Sequence, residues 1–254
     1  MPNTDLTHSD LLELKRWNTP TIFNGWEQIT EHDVANSGVN REETRDFMPH
    51  MGPMIGRAVT VRIGMRSKEG RAEADPLAYR KYLEYVAGID GPKIAIVKDM
   101  DGAPFYGSFW GEVNSNVHRA LGCVGTITDG CIRDLDEMMN AGFKALARRL
   151  CVGHGYGRVI HFGETENVFG TTVEPGQLIH ADKHGFLAVP PEDEAQLLDA
   201  SRFMDSNECQ TVIPAARGAQ GRSTAATLAA IDDAINRFRA NTHQKFGRSG
   251  EFGE

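Results

Sequence analysis

The sequence lacks the features of a membrane-spanning or secreted protein. No apolar run in its 254 residues approaches the ~20 that a transmembrane helix needs. The first seventeen residues, MPNTDLTHSDLLELKRW, are polar and contain no apolar core of a secretory signal. We therefore expect a cytoplasmic protein with no membrane segment.

Cysteine and positive charge are also scarce. The four cysteines form no CxxC pair and no zinc-finger spacing, so a zinc cage is not expected and reduced thiols are the simpler interpretation. The net charge of -8 argues against a nucleic-acid groove, although one local basic pocket for a small anion remains compatible with it. No GxSxG motif supports Ser-His-Asp catalysis.

Apolar and charged residues make up 40 % and 24 % of the chain, as in ordinary globular proteins. Between residues 55 and 150 predicted strands alternate with predicted helices, which indicates an α/β core. The predicted strands there are 57–63, 93–98, 123–127 and 143–148, and the helices span about 75–88, 111–121 and 133–141. Short strands without helices follow at 169–173, 178–181 and 186–189 and predict a second, β-rich layer.

Helices are predicted again at both ends, over residues 7–18, 192–204 and 223–238. We therefore predict a layered α/β/β/α-type single domain with additional N- and C-terminal helices. In this division residues 1–50 form an N-terminal helical extension, residues 51–192 the catalytic core and residues 193–254 a C-terminal helical extension.

The stretch Trp110–Glu137 carries the residues best suited to chemistry. Glu112 stands at one predicted helix start, and the pair Arg133-Asp134 stands at the next, after a buried-looking strand. The arginine fork suits a 2-oxo acid carboxylate, and Asp134 with Glu112 nearby suits Mg²⁺ or Mn²⁺, which prefer oxygen ligands. The alternative is an ordinary salt bridge and helix cap.

Four segments of the chain resemble the RraA-like superfamily. An acidic residue, twenty intervening residues and Arg-Asp match its signature, here Glu112 and Arg133-Asp134. The other three segments are IGRAVTV at 55–61, GTITDGCIRD at 125–134 and VEPGQLIHADKHGFLAVP at 173–190. Two departures stand out, because Asn114 is polar where the family is apolar and Gln177 replaces an aspartate.

The resemblance implies a compact α/β fold assembled as a homotrimer or homohexamer, with the active site at a subunit interface. It implies that Gly111, Glu112, Val113 and Asn114 hold the substrate through backbone N–H groups. Arg133 would bind the 2-oxo acid, Asp134 would ligate Mg²⁺ or Mn²⁺, and Glu112 would support the metal shell or a proton-transferring water.

The implied reaction is cleavage of a 4-hydroxy-2-oxo acid to pyruvate, with oxaloacetate decarboxylation as a side activity. Two rival functions use the same scaffold. One is a non-catalytic regulator that binds a ribonuclease, and the other is a metal-dependent hydro-lyase acting on sugar acids.

A second group of polar residues, His180, Asp182 and His184, has two interpretations. These side chains alternate along a predicted strand and could hold a metal, or they could be solvated residues with Asp182 capping the turn before Gly185. The segment Gly153–Gly157, GHGYG, lacks the context of a dinucleotide-binding loop and is expected to be a simple loop.

Overall fold

The computed structural model describes residues 6–253 of the protein. It divides into two compact units. One comprises Thr7–Thr19 and Ala35–Pro191, and the other comprises Pro20–Val34 with residues 192–253. Among the helices of this range, none combines the length and the apolar character that a membrane span requires. The predicted division at residues 50 and 192 stays a prediction.

The strands and helices confirm the α/β class. The strands are β1 (Arg45–Asp46), β2 (Met54–Gly64), β3 (Lys93–Asp99), β4 (Ser108–Trp110), β5 (Cys123–Ile132), β6 (Lys144–Leu150), β7 (Arg158–Phe162), β8 (Glu166–Val168), β9 (Thr171–Val173), β10 (Leu178–Asp182) and β11 (Gly185–Val189). The helices are α1 (His8–Leu14), α2 (Thr19–Glu27), α3 (Lys68–Glu73), α4 (Ala78–Ala87), α5 (Glu112–Ala120), α6 (Leu135–Asn140), α7 (Glu194–Gln210), α8 (Val212–Arg217) and α9 (Thr224–Phe246).

A single mixed sheet organises the larger unit. Its order is β1-β6-β5-β3-β2-β10-β11, and β2, β3, β5 and β6 run parallel to one another. β4 pairs in parallel with the carboxyl end of β5, and β7 pairs antiparallel with the carboxyl end of β2. The carboxyl ends of β4 and β5 therefore meet at one edge, which is where ligands collect in such sheets.

The central strands are apolar on both faces because each face is covered. Ala95 and Val97 of β3 pack with Tyr82 and Val86 of α4 on one face. On the other face Ile94 and Ile96 pack against the β8–β9 hairpin and against β10 and β11, through side chains that include Val168, Phe169, Ile179 and Phe186. This arrangement confirms the predicted β-rich second layer.

Several element boundaries differ from those predicted. Thr7 and Asp10 form the expected capping box, but α1 ends at Leu14 because Lys15 and Trp17 close it with short backbone bonds. The predicted turn at residues 128–130 is wrong, since β5 continues through it to Ile132. The neighbouring strands β3 and β6 cover that segment on both edges, so no turn is needed.

The predicted apolar face of α5 is also wrong. Val113, which was expected to face the core, is 75 % exposed, whereas Ser115 and His118 are fully buried. The polar atoms of these two residues are satisfied locally. The Ser115 hydroxyl donates to the carbonyl of Glu112 at 2.8 Å, and Nδ1 of His118 lies 2.7 Å from the carbonyl of Asn114. A polar residue enters the core where its hydrogen bonds are made within the same helix.

In the smaller unit the final helix is longer than predicted. α9 begins after Ser223, whose hydroxyl caps the N–H of Ala226, and it ends at Gly247, which adopts a left-handed conformation. Phe238 and Thr242 are fully buried on this helix, and Asn207 of α7 donates to the Phe238 carbonyl at 3.0 Å. Trp26 of α2 is also fully buried and donates to Asp193 at 2.8 Å.

Candidate functional site

The candidate site lies where two parallel strands end side by side. β4 and β5 pair through Ser108 with Cys131 and Trp110 with Ile132. The next residues, Gly111-Glu112 and Arg133-Asp134, therefore leave the sheet together. The backbone N–H of Arg133 donates to the Trp110 carbonyl at 3.2 Å and continues this pairing by one residue. The sequence prediction that these two pairs share one edge is consistent with this geometry.

Asp134 connects the two loops. Its Oδ2 atom accepts a hydrogen bond from the backbone N–H of Glu112 at 3.1 Å. Its backbone is left-handed, with φ 54° and ψ 51°, a conformation that aspartate tolerates better than most residues. Its Oδ1 atom accepts no hydrogen bond from the residues that the structure describes, and the side chain is 35 % exposed. One carboxylate oxygen is thus fixed and the other is free for a ligand.

Gly111 makes this contact possible. Its backbone is extended, so conformation alone would accept any residue. A Cβ atom added there would lie 2.5 Å from Oδ2 of Asp134 and 3.2 Å from Nε of Arg133. Position 111 therefore requires glycine because the Asp134 carboxylate occupies the space of a side chain.

Arg133 is held on two sides. Its Nη1 donates to the Val152 carbonyl at 3.3 Å, and its Nε lies 3.6 Å from Oδ2 of Asp134. The side chain remains 36 % exposed, so the guanidinium has further donors that face solvent. The arginine is thus oriented but not consumed, as a binding residue for a planar anion requires.

The first turn of α5 supplies additional backbone donors. The first bond of the helix runs from the N–H of Ser115 to the carbonyl of Gly111 at 3.0 Å. The N–H groups of Val113 and Asn114 therefore precede the hydrogen-bonded turns, and helix starts of this kind favour anions. The Glu112 side chain is exposed beside them, and it makes no hydrogen bond within residues 6–253.

The side chain of Asn114 has a structural role in this loop. Its Oδ1 accepts a hydrogen bond from the Tyr79 hydroxyl at 2.7 Å, and its Nδ2 donates to the carbonyl of Phe109. Both ends of the amide are therefore used within the protein. The polar residue that departs from the family pattern ties α5 to α4 and to β4.

His118 supports α5 from below. The Asn114 carbonyl only accepts hydrogen bonds, so Nδ1 of His118 carries the proton and Nε2 accepts from the Tyr82 hydroxyl at 3.0 Å. Burial lowers the pKa of His118 to about 4, although its bond to Asn114 acts in the opposite direction. The ring is thus neutral at neutral pH and positions the helix.

A residue that the sequence reasoning missed is Asp99, at the carboxyl end of β3. It is 4 % exposed, and its Oδ2 has no hydrogen-bond partner among the described residues. Burial raises the pKa of Asp99 to about 6, and the charges of Asp101 and Asp129 raise it further. The only sequence signal is its position directly after the apolar run of a parallel strand.

The donor set at this edge fits a hard divalent cation. Within residues 6–253 no cluster of three or more histidine, cysteine or acidic side chains could hold a metal. Mg²⁺, however, often takes only one or two carboxylates and completes its shell with water and substrate oxygens. The free Oδ1 of Asp134 and the exposed carboxylate of Glu112 are oxygen donors of this kind.

The second polar group lies at the opposite end of the sheet. β10 pairs with Met54–Arg57, the start of β2. His180 is fully buried, donates to the Leu14 carbonyl at 3.3 Å and accepts from the Thr19 hydroxyl at 2.9 Å. Burial lowers the pKa of His180 to about 4. The histidine therefore anchors the chain around residues 14–19 and is not a solvated strand residue as its alternation suggested.

Asp182 beside it caps two segments. Its Oδ2 accepts from the backbone N–H of Thr19 at 3.1 Å, and its Oδ1 accepts from the N–H of His184 at 2.9 Å. The second bond confirms the predicted capping of the turn before Gly185. Both oxygens serve the backbone, so this group is separate from the edge that carries Glu112 and Asp134.

Comparison with known proteins identifies the family. The sequence profile of the Aldolase/RraA family, RraA-like, matches residues 19–188. The chain therefore belongs to the RraA-like family, which includes both metal-dependent aldolases and proteins that inhibit a ribonuclease. It is 23 % identical over 158 residues to the uncharacterized protein MJ0644 of Methanocaldococcus jannaschii, a match that covers 61 % of this chain and 69 % of that protein.

Two solved structures share the fold. An uncharacterized protein from Pseudomonas syringae pv. tomato superposes with a TM-score of 0.66 at 18 % identity, over 90 % of this chain and 97 % of that chain. RraAS2 of Streptomyces coelicolor, described as an unusual member of the RNase ES inhibitor RraA protein family, superposes with a TM-score of 0.62 at 15 % identity, over 85 % and 98 % of the two chains.

Proposed function

We propose that this protein is a divalent-metal-dependent lyase that cleaves a 4-hydroxy-2-oxo acid to pyruvate and a second carbonyl compound. Oxaloacetate decarboxylation is the side activity expected of the same site. The observation that carries the proposal is the junction of Asp134 with the Gly111-Glu112 loop, where one carboxylate oxygen is fixed by a backbone N–H at 3.1 Å and the other is free.

Each residue of the junction has a task in this reaction. Arg133 binds the substrate carboxylate, and the N–H groups of Val113 and Asn114 add donors beside it. Asp134 holds Mg²⁺ or Mn²⁺, with Glu112 supporting the metal shell. The bound cation supplies positive charge next to the keto oxygen, where negative charge develops.

The bond that breaks is the one between C3 and C4 of the substrate. Its electron pair stays with the three-carbon fragment, which becomes the enolate of pyruvate, and the C4 hydroxyl loses its proton as the new carbonyl forms. Glu112, directly or through a water molecule, accepts that proton. Protonation of the enolate at C3 then yields pyruvate.

We further propose that the chain assembles as a homotrimer or homohexamer with this site at a subunit interface. About one third of each of the Arg133 and Asp134 side chains is exposed, so the site is open on one side. Light scattering coupled to size-exclusion chromatography tests the assembly, and a monomeric mass with full activity would overturn it.

The test of the reaction is pyruvate release from 4-hydroxy-4-methyl-2-oxoglutarate and from oxaloacetate, with Mg²⁺ or Mn²⁺ and again with EDTA. We expect turnover that EDTA abolishes and added metal restores. Asp134→Asn keeps the side-chain shape but removes the charge, and we expect it to lower kcat/KM by about 100-fold or more. Asp136→Asn, on an exposed neighbour in the first turn of α6, is the matched control and should retain wild-type rates.

The fold shared with RraAS2 favours a second candidate, a protein that binds and inhibits a ribonuclease without catalysis. Absence of pyruvate from both substrates in folded, metal-loaded protein would move the assignment to this candidate or to a sugar-acid hydro-lyase. Metal-independent inhibition of a ribonuclease supports the former, and release of water from a sugar acid without pyruvate supports the latter.

A further inference from the structure

A cavity of about 390 Å³ adjoins the site loop. Phe109 and Asn114, which flank Gly111-Glu112, form one of its walls. Residues of α3, α4 and the segment 154–159 form the others. The segment after β6 connects the two places, because the Val152 carbonyl holds Arg133 and the Gly153 carbonyl accepts from the N–H of Ser108 in the cavity wall at 2.9 Å.

Arg158, the first residue of β7, projects into this cavity between two glycines. A Cβ atom at either Gly64 or Gly70 would lie 2.9 Å from its Cζ atom, so both positions leave room for the guanidinium. Its Nη1 atom is buried and has no hydrogen-bond partner among the described residues. A buried charged donor without an acceptor is destabilising unless a ligand completes it.

Arg71 of α3 lines the same cavity as a second cation. Neither arginine has an acidic partner within residues 6–253, and no described lining residue carries a carboxylate. Other arginines of this unit are neutralised, for example Arg62 by Glu166 at 2.7 Å. In a chain with a net charge of -8, two uncompensated arginines around one cavity form a local anion-binding field.

We propose that this cavity binds the distal carboxylate of a dicarboxylic 2-oxo acid. The inference rests on the proposed function, and it narrows the substrate class to diacids. Arg133 receives the carboxylate next to the keto group, while Arg158 and Arg71 receive the one at the far end. Two guanidinium groups suit a planar carboxylate because each presents paired N–H donors.

The test compares two ligands that cannot undergo the retro-aldol reaction because they lack a 4-hydroxyl group. 2-Oxoglutarate has the distal carboxylate, and 2-oxopentanoate replaces it with a methyl group. Titration calorimetry of the metal-loaded protein should give a Kd for 2-oxoglutarate about 10- to 100-fold lower than that for 2-oxopentanoate. Equal Kd values in the wild type would overturn the proposal, whatever the protein turns over.

Arg158→Met and Arg71→Met should each weaken 2-oxoglutarate binding and leave 2-oxopentanoate binding unchanged within about 3-fold. Arg71 is exposed, so its variant tests the proposal even if Arg158→Met does not fold. Arg80→Met is the matched control, because Arg80 lies on α4 outside the cavity and is paired with Glu84. Retention of the full diacid preference in both cavity variants would overturn the proposal.

Two further arms separate this inference from the proposed function and from an independent anion site. A diacid preference that depends on Arg158, without pyruvate release from any substrate, supports the cavity assignment and removes the lyase. Inorganic phosphate that binds through Arg158 without competing with 2-oxoglutarate identifies an anion site apart from the substrate and overturns the proposal.

Discussion

The backbone N–H of Glu112 donates to Oδ2 of Asp134 at 3.1 Å and joins two loops that are separated by a whole helix and strand. The parallel pairing of β4 with β5 brings the loops together, and the missing side chain at Gly111 lets them touch. The arrangement depends on backbone groups and on one carboxylate. A cluster of many acidic or histidine ligands is therefore not required at this edge of the sheet.

Gly111→Ala should remove activity while leaving the fold intact. The added methyl group would lie 2.5 Å from Oδ2 of Asp134, so the carboxylate must move and its bond with Glu112 is lost. The extended backbone at this position accepts alanine without conformational strain. We expect kcat/KM for pyruvate release to fall by about 100-fold, as when a positioned active-site contact is lost.

Gly153→Ala is the control for that variant. Gly153 lies in the loop that follows Arg133's carbonyl partner Val152, and a Cβ atom there meets nothing within 4 Å. This variant should keep wild-type kcat/KM. Equal activity of the two alanine variants would contradict the role given to the Gly111 contact.

Much of the fold could be predicted because the central strands are short apolar runs bounded by glycine and polar residues. The run Lys93–Lys98 was predicted correctly, since Ile94–Val97 are buried on both faces of the sheet. The apolar face of α5 was not, because Ser115 and His118 satisfy their polar atoms within the helix and so enter the core. Periodicity of apolar residues cannot detect such locally satisfied polar residues.

The candidate site divides in the same way. Glu112 and Arg133-Asp134 could be placed together from sequence, because each pair follows a strand that ends at the same edge of the sheet. Arg158 could not, since its environment is formed by Gly64 and Gly70, which are distant in sequence and carry no chemical signal of their own. Contacts of this kind depend on how strands and helices pack.

The buried His118 should make stability depend on pH. Burial lowers its pKa from 6.5 to about 4, so the unfolded state binds the proton more readily between these values. The contribution of His118 is therefore present above pH 6.5 and is lost as the pH falls towards 4. From these pKa values we expect a loss of about 2 kcal/mol in the free energy of unfolding between pH 7 and pH 5.

Urea unfolding of the wild type and of His118→Gln at both pH values measures this contribution. The stability difference between the two proteins should shrink by about 2 kcal/mol at the lower pH. His243→Gln, on an exposed position of α9, is the control and should show a difference that does not change with pH. A pH-independent difference for His118→Gln would show that the ring is already charged in the folded protein.

The ion pair between Lys144 and Asp46 is buried, with both side chains 2 % exposed and 2.6 Å between Nζ and Oδ2. Lys144→Met leaves a buried carboxylate without its counter-charge and should lower the free energy of unfolding by about 3–5 kcal/mol. Addition of Asp46→Asn removes that charge but keeps Oδ1 as acceptor for the Met48 N–H, so the double variant should be more stable than Lys144→Met.

The exposed pair Arg80–Glu84 has a similar distance of 2.9 Å but side chains that are 73 % and 60 % exposed. Arg80→Met should therefore change stability by only about 0.5 kcal/mol, as measured by the same urea unfolding. Losses of equal size at the two pairs would show that burial does not determine the contribution of the Lys144–Asp46 pair.

The thiols should differ widely in reactivity. Burial raises the pKa of Cys123 and of Cys131 to about 12, and the two side chains are 0 % and 2 % exposed, whereas Cys209 is exposed on α7. The thiolate is the reactive form, so iodoacetamide at pH 8 should modify Cys209 and leave the buried pair intact until denaturant is added. Peptide mass spectrometry measures this order. Early modification of Cys131 would mean that the carboxyl end of β5, next to Arg133 and Asp134, opens in the folded protein.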